Sequence, residues 1–328
     1  MDPKIPSRIR HLDFSGYEEE LEDFLGVFNS HPASDAFSIR LQATGFDDHG
    51  PGEHFACFLS SPFQKLSKLN LGGFLPSPSS AIFTTSKLTS LKLFFPKNQE
   101  GKYTLVQFSQ ILQQQPNLQE LDLNDGAIPL PGATVAPVLP RLTYLRLHGT
   151  DMAILGFIDF IRMSSPLYKV VIHFDSILHR TIPTLATAVK RILAAYYDCQ
   201  GLDYSRKIDS LAISSPLSEG HLAFDAKSRS LPTSNLELQF AWIGKLGCMK
   251  ILEKTFDLFP SDNAQELTVN VLPLTRKMLE KMKGLSHLRL SDQVEQYVGE
   301  SLDALSLSDR GASTKHTTRV SNHASTRR

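Results

Sequence analysis

The sequence predicts an α/β solenoid, with short parallel strands forming an inner sheet and helices lying outside it. Three observations predict it. An apolar phrase (apolar, two residues, apolar, one residue, apolar) recurs at intervals of about 21–30 residues. Between copies the apolar period changes from two to about 3.6. Prolines punctuate the return from helix to strand.

The clearest copies are LSKLNL (Leu66, Leu69, Leu71), LTSLKL (Leu88, Leu91, Leu93), LQELDL (Leu118, Leu121, Leu123) and LTYLRL (Leu142, Leu145, Leu147). Weaker copies open at Ile9, Ala36, Leu167, Ile208, Ala264 and Leu285, and LELQF adds a strand of uncertain phase, with Asn235 in its first apolar slot. A short strand with one apolar face cannot bury that face alone, so such copies stack. The reading is a leucine-rich-repeat solenoid with irregular repeats. Eleven strands at about 4.8 Å spacing make a sheet roughly 50 Å across.

The intervening segments follow the helical period. YEEELEDFLGVF carries Leu21, Phe24, Leu25 and Phe28 on one face. TLVQFSQILQQ carries Leu105, Phe108, Ile111 and Leu112, with Thr104 as N-cap. DMAILGFIDFIR opens on Asp151 as cap and carries Ile154, Phe157, Ile158 and Ile161. The repeat at 167–208 is enlarged and holds TLATAVKRILAAYYDCQG, a long helix ending near Gly201. GKLGCMKILEKTFDLF and TRKMLEKMK supply two more helices. Pro32, Pro62, Pro116, Pro140, Pro166 and Pro260 mark the turns back to strand. A second apolar anchor is expected five residues past each strand, at Phe46, Ile128, Met152, Ile177 and Leu274. Asparagine is missing three residues after the strands, so no asparagine ladder is expected on that edge. Residues 1–305 read as one repeat domain ending in an amphipathic segment, DQVEQYVGESLDAL, and residues 306–328 read as a disordered tail.

Composition narrows the function. Lys+Arg and Asp+Glu are both 34, so the formal net charge is zero. A nucleic-acid or anionic-membrane binder would rest on excess cations, and neither partner is expected. The three cysteines (Cys57, Cys199, Cys248) are far apart and form no CxxC pair, so no zinc site or disulfide framework is signalled. There is no apolar leader at the start, no span long enough for a bilayer and no Asn-x-Ser/Thr sequon. The expected compartment is cytoplasmic or nuclear.

The PxLxxLxL junctions and degenerate spacing resemble the leucine-rich-repeat region of fungal F-box proteins. That resemblance runs from Ile9 to Leu290 and implies a ribonuclease-inhibitor-like horseshoe. It further implies substrate recognition for a cullin-type ubiquitin ligase. The F-box itself, a helical segment opening on a Leu-Pro-x-Glu type sequence, is absent. The chain is therefore expected to be the recognition half of a longer design, docking on a ligase only if an F-box is supplied elsewhere. The alternative is a ubiquitin-independent regulator or inhibitor that cups a protein partner.

Specificity is expected between the leucines, on positions that alternate to the inner, concave face. Tyr144, Arg146, His148, Lys169 and His173 form a basic, aromatic patch there, with Glu120 and Asp122 as an acidic flank and Lys92 beyond it. Tyr and Arg dominate binding hot spots. The competing expectation is a solvated face whose charges neutralise one another across strands. Asp47, Asp48, His49, Glu53 and His54 crowd the segment GFDDHGPGEH, but its glycines and proline read as loop, and the spacing matches no metal-ligand pattern. No nucleophile elbow, phosphate loop or dinucleotide fingerprint occurs. The chain is expected to be non-catalytic, with no cofactor or metal.

Overall fold

The structure, a computed structural model, describes residues 9–29, 35–44, 63–85, 87–95, 103–124, 126–129, 137–163, 167–177, 182–198, 208–214, 221–227, 235–242, 245–259, 264–269 and 276–290. The fold is α/β, with mostly parallel strand pairing. The chain divides into two compact units. One holds Met1–Ile172 with Ala194–Gly201, the other His173–Leu193 with Leu202–Arg328. The tail at 306–328, the GFDDHGPGEH loop and the amphipathic segment before the tail lie outside the described residues.

In the first unit the strands are β1 (His11–Tyr17), β2 (Ser38–Thr44), β3 (Lys68–Gly72), β4 (Ser90–Phe94), β5 (Glu120–Asn124), β6 (Val138–Leu139), β7 (Tyr144–Gly149), β8 (Arg162–Met163) and the start of β9 (Lys169–Ile177), whose residues from His173 onward belong to the second unit. The helices are α1 (Glu18–Asn29), α2 (Leu105–Gln113) and α3 (Asp151–Phe160), with a 3-10 turn at Ala81–Phe83. β1, β2, β3, β4, β5, β7 and β9 lie side by side in chain order, and β6 pairs with β8 as a separate ribbon. Register follows the phrase: Leu12, Ile39, Leu69, Leu91, Leu121 and Leu145 stand opposite one another in turn. All six are buried.

A second feature keeps the copies in step. The carbonyl of the residue after each first apolar position accepts two N–H groups from the next copy. Arg10 O takes Phe37 N and Ser38 N, Phe37 O takes Ser67 N and Lys68 N, and the pattern continues through Ser67, Thr89, Gln119 and Thr143. Where that residue is Ser or Thr, its hydroxyl donates back to the same carbonyl. Ser67 Oγ reaches Phe37 O at 3.2 Å, Thr89 Oγ1 reaches Ser67 O at 3.0 Å and Thr143 Oγ1 reaches Gln119 O at 3.2 Å. This hydroxyl ladder satisfies backbone at the strand entrances. At the opposite edge, Asn124 Oδ1 accepts from Phe95 N at 2.6 Å.

Behind the sheet a chain of rings forms the core. Phe83 meets Tyr103 edge-on, Tyr103 stacks on Phe108, and Phe108 meets Phe157, at centroid distances of 6.5, 6.0 and 5.9 Å. The Tyr103 hydroxyl donates to Pro76 O, and burial pushes its pKa far up. The Gln115 amide donates to Phe83 O. α2 begins at the expected cap: Thr104 Oγ1 accepts from Gln107 N while Gln107 Oε1 accepts from Thr104 N. At α3 the cap is Thr150, not Asp151, because Thr150 holds the extended backbone a cap requires and its hydroxyl accepts from Ala153 N. Asp151 is the first helical residue, where its charge still suits the helix dipole. Of the expected second anchors, Ile128 is buried, whereas Met152 is 59% exposed, since it sits on the first turn of α3 and points off the sheet. Phe46 and Leu274 lie outside the described residues.

The second unit departs from the expected repeat. It contains α4 (Ile182–Asp198, its residues to Leu193), β10 (Ser210–Ser214), β11 (His221–Lys227), β12 (Asn235–Trp242), α5 (Lys245–Leu258), β13 (Glu266–Val269), α6 (Arg276–Lys281) and β14 (His287–Leu290). The strand order is β12-β11-β10-β13-β14. β10, β13 and β14 pair in parallel, but β11 runs antiparallel to both β10 and β12. The sequence reading missed β11 because HLAFDAK lacks the phrase, although Leu222, Phe224 and Ala226 alternate into the core. The connections at 215–220 and 228–234 are too short for a parallel crossover, which needs roughly a dozen residues or more. Phe174, Phe240, Phe224 and Phe259 form this unit's ring chain.

Lys281 locks the end of α5. Its Nζ donates to Phe256 O at 3.1 Å, Asp257 O at 2.6 Å and Phe259 O at 3.0 Å, and lies 5.7 Å from the Phe256 ring centroid. Terminal helix carbonyls lack intrahelical donors, and a cation there also meets the negative dipole end. Lys281→Met keeps the stem and removes the donors. We expect it to cost about 1–2 kcal/mol in urea unfolding; an unchanged midpoint would show that the cap contributes nothing.

Candidate functional site

In the first unit the residues between the apolar positions share the sheet face away from the buried leucines, and register arranges them in rows. One row reads His11, Ser38, Lys68, Ser90, Glu120 and Tyr144. The next reads Asp13, Arg40, Asn70, Lys92, Asp122 and Arg146. In the third, Asn124 stands beside His148. Lys169 joins the first row, because Tyr168 N and Lys169 N bond Thr143 O just as Thr143 N and Tyr144 N bond Gln119 O.

Seven of the eight sequence-predicted residues therefore come together: Lys92, Glu120, Asp122, Tyr144, Arg146, His148 and Lys169. His173 belongs to the second unit, half-buried on β9 before the buried Phe174.

The charges are largely matched across strands. Lys92 Nζ lies 2.6 Å from Glu120 Oε1, and Ser90 Oγ donates to Glu120 Oε2 at 2.6 Å. Arg146 Nη1 lies 3.8 Å from Asp122 Oδ2. Lys169 Nζ lies 5.6 Å from the Tyr144 ring centroid, within cation–π range. Tyr168, beside it, is 44% exposed.

Asp122 corrects the picture of a solvated acidic flank: the residue is only 3% exposed. Its neighbours in register, Lys92 and Arg146, have long stems that cover it. Desolvation raises the Asp122 carboxyl above its ordinary value, against the opposing charges of Arg146 and Lys92. Glu120 goes the other way. Burial pushes it up, but the hydrogen bonds from Lys92 and Ser90 and the charges of Lys92 and Lys68 outweigh that and hold it below its ordinary value.

The two shifts carry opposite signs in folding linkage. A raised folded-state pKa means stability present at low pH and lost as pH rises above the ordinary value of 3.8 through the folded one. A lowered pKa means stability present above the ordinary value of 4.5 and lost as pH falls through the folded one. Asp122→Asn should therefore gain in Tm relative to the parent chain as pH rises from about 3 to 7, and Glu120→Gln should lose. Parallel pH profiles for both variants would contradict the assignment.

The sequence reading missed the other half of the face. Arg40, Lys68, Asn70 and Ser90 line an open trough of about 330 Å³ over β1–β4 with His11 and Asp13. The signal was present in AFSIRL and LSKLNL, the same intervening positions one and two copies upstream.

Among the described residues no group of three or more His, Cys, Asp or Glu side chains could hold a metal, and no helix is long and apolar enough to cross a membrane. No family model matches the chain, and no curated protein and no solved structure matches it either.

Proposed function

We propose that this chain is a non-catalytic protein-interaction scaffold. In this reading its strand–loop–helix units are irregular leucine repeats of the ribonuclease-inhibitor-like kind, and the polar face of the first unit is the binding surface. The observation that carries the reading is the register itself. Six parallel strands in chain order, β1 to β5 and β7, display their intervening residues as a regular grid, with Tyr144 and Arg146 at one end and Lys169 beside Tyr144. Parallel stacking of this kind serves repeat proteins as an extended docking surface, and Tyr and Arg are the side chains that anchor such contacts.

The resemblance to F-box recognition regions makes the proposed client a substrate of a cullin-type ubiquitin ligase, in the cytoplasm or nucleus. The tagged full chain, used for proximity labelling and affinity capture in cells, tests both levels. A client recovered together with cullin-ligase subunits supports the ligase reading. A client without ligase subunits supports a ubiquitin-independent regulator. No specific client in either experiment overturns the scaffold reading.

A further inference from the structure

The trough over β1–β4 has a definite chemistry. Its two rows alternate short and long side chains: Ser38, Lys68 and Ser90 in one, Arg40, Asn70 and Lys92 in the other. Three cations therefore surround the Asn70 amide. Neighbouring strands are about 4.8 Å apart, so the Arg40 and Lys92 backbones stand roughly 10 Å apart across it.

The cations differ in how they are held. Lys92 is committed to Glu120. Arg40 reaches Asp13 only at 3.5 Å, with both side chains more than half exposed, a pairing of little strength. The Lys68 side chain is exposed and makes no hydrogen bond or ion pair among the described residues, acting on Glu120 through its charge alone, and the Asn70 side-chain amide likewise makes no hydrogen bond among them. Arg40, Lys68 and Lys92 against Asp13 and Glu120 leave one net positive charge.

We infer that this trough receives an acidic side chain, a glutamate or aspartate on an extended segment of the protein partner. This rests on the scaffold reading and names the chemistry one part of the face accepts. A single carboxylate neutralises the site, whereas a dianionic phosphate would leave an excess negative charge beside Asp13 and Glu120. Lys68 supplies the principal charge, Asn70 a donor between the cations, and Arg40 swings from its loose pairing with Asp13. The volume, at the small end of ligand pockets, suits one or two side chains.

The test is fluorescence anisotropy with the full chain and a dye-labelled peptide of alternating Glu and Gly, at about 50 mM salt. Its Gln/Gly counterpart and a phosphoserine/Gly peptide form the comparison arms. The expected result is a Kd below about 1 mM for the glutamate peptide and binding about tenfold weaker for the glutamine peptide. Lys68→Glu should lower glutamate-peptide affinity about tenfold. Lys283→Glu, an equal charge change at an exposed position of the second unit, should not. No binding near 1 mM, equal binding of the neutral peptide, or indifference to Lys68→Glu overturns the inference. Preference for the phosphoserine peptide overturns the carboxylate assignment. If the peptide fails but a cellular client is captured, the inference falls and the scaffold reading stands. If the peptide binds through Lys68 but no client is captured, the carboxylate site stands and the scaffold reading falls.

Discussion

Phe108→Ala is expected to lower the unfolding free energy by about 3–5 kcal/mol, read as a fall in the urea midpoint at unchanged slope. The ring lies between Tyr103 and Phe157 in the chain that backs the first unit's sheet, and it is completely buried. Removing it forfeits the transfer energy of the ring, leaves a cavity and breaks two aromatic contacts at once. Phe108→Leu keeps most of the apolar volume and should cost about half as much or less. If both changes cost under about 1 kcal/mol, the rings do not form the core as described.

The largest functional effect is expected from Tyr144→Ala combined with Arg146→Ala. Tyr144 stands between Glu120 and Lys169 in its row, and Arg146 covers the buried carboxylate of Asp122. Truncating both removes two hot-spot residue types and exposes an unpaired acid. Client affinity should fall by about 3–4 kcal/mol, more than a hundredfold. Binding to an immobilised client, once one is captured, measures this. Because arginine loss also disturbs Asp122, the triple variant with Asp122→Asn separates the effects. It restores the charge balance and should leave the client unbound. Restored binding would mean that the contact is electrostatic repair and not recognition.

Much of the first unit is legible in the sequence. The phrase fixes strand positions because every apolar slot must face the same side for neighbouring copies to bury one another, and Leu66, Leu88, Leu118 and Leu142 are all buried. Thr104 as a cap could be read from sequence because its partner Gln107 follows three residues later. Thr150 was passed over for Asp151 because both are cap residues and only backbone geometry chooses between them.

The second unit was less legible. β11 alternates like any half-buried strand, but HLAFDAK carries no phrase to give it phase. Its antiparallel course follows from the short connections on either side, a constraint that applies only once HLAFDAK is itself recognised as a strand.

The face shows the same division. Which residues alternate outward was readable, and so was the meeting of Tyr144 with Lys169. That Asp122 would be covered was not, because burial on an outward position depends on the stems of neighbours two copies apart. The hydroxyl ladder of Ser67, Thr89 and Thr143 was visible in the text as a recurrent small polar residue after the first leucine. Its role became apparent only with the carbonyls that it serves.

The central claim is that a protein partner docks on the polar sheet face of the first unit. Hydroxyl-radical footprinting of the chain with and without a captured client tests it most directly. The account predicts protection of Tyr144, His148 and Tyr168 on binding. Met152 and Val106, exposed on α3 and α2, should keep their reactivity. Protection of Met152 and Val106 with Tyr144 unchanged would contradict it and place the partner on the helices.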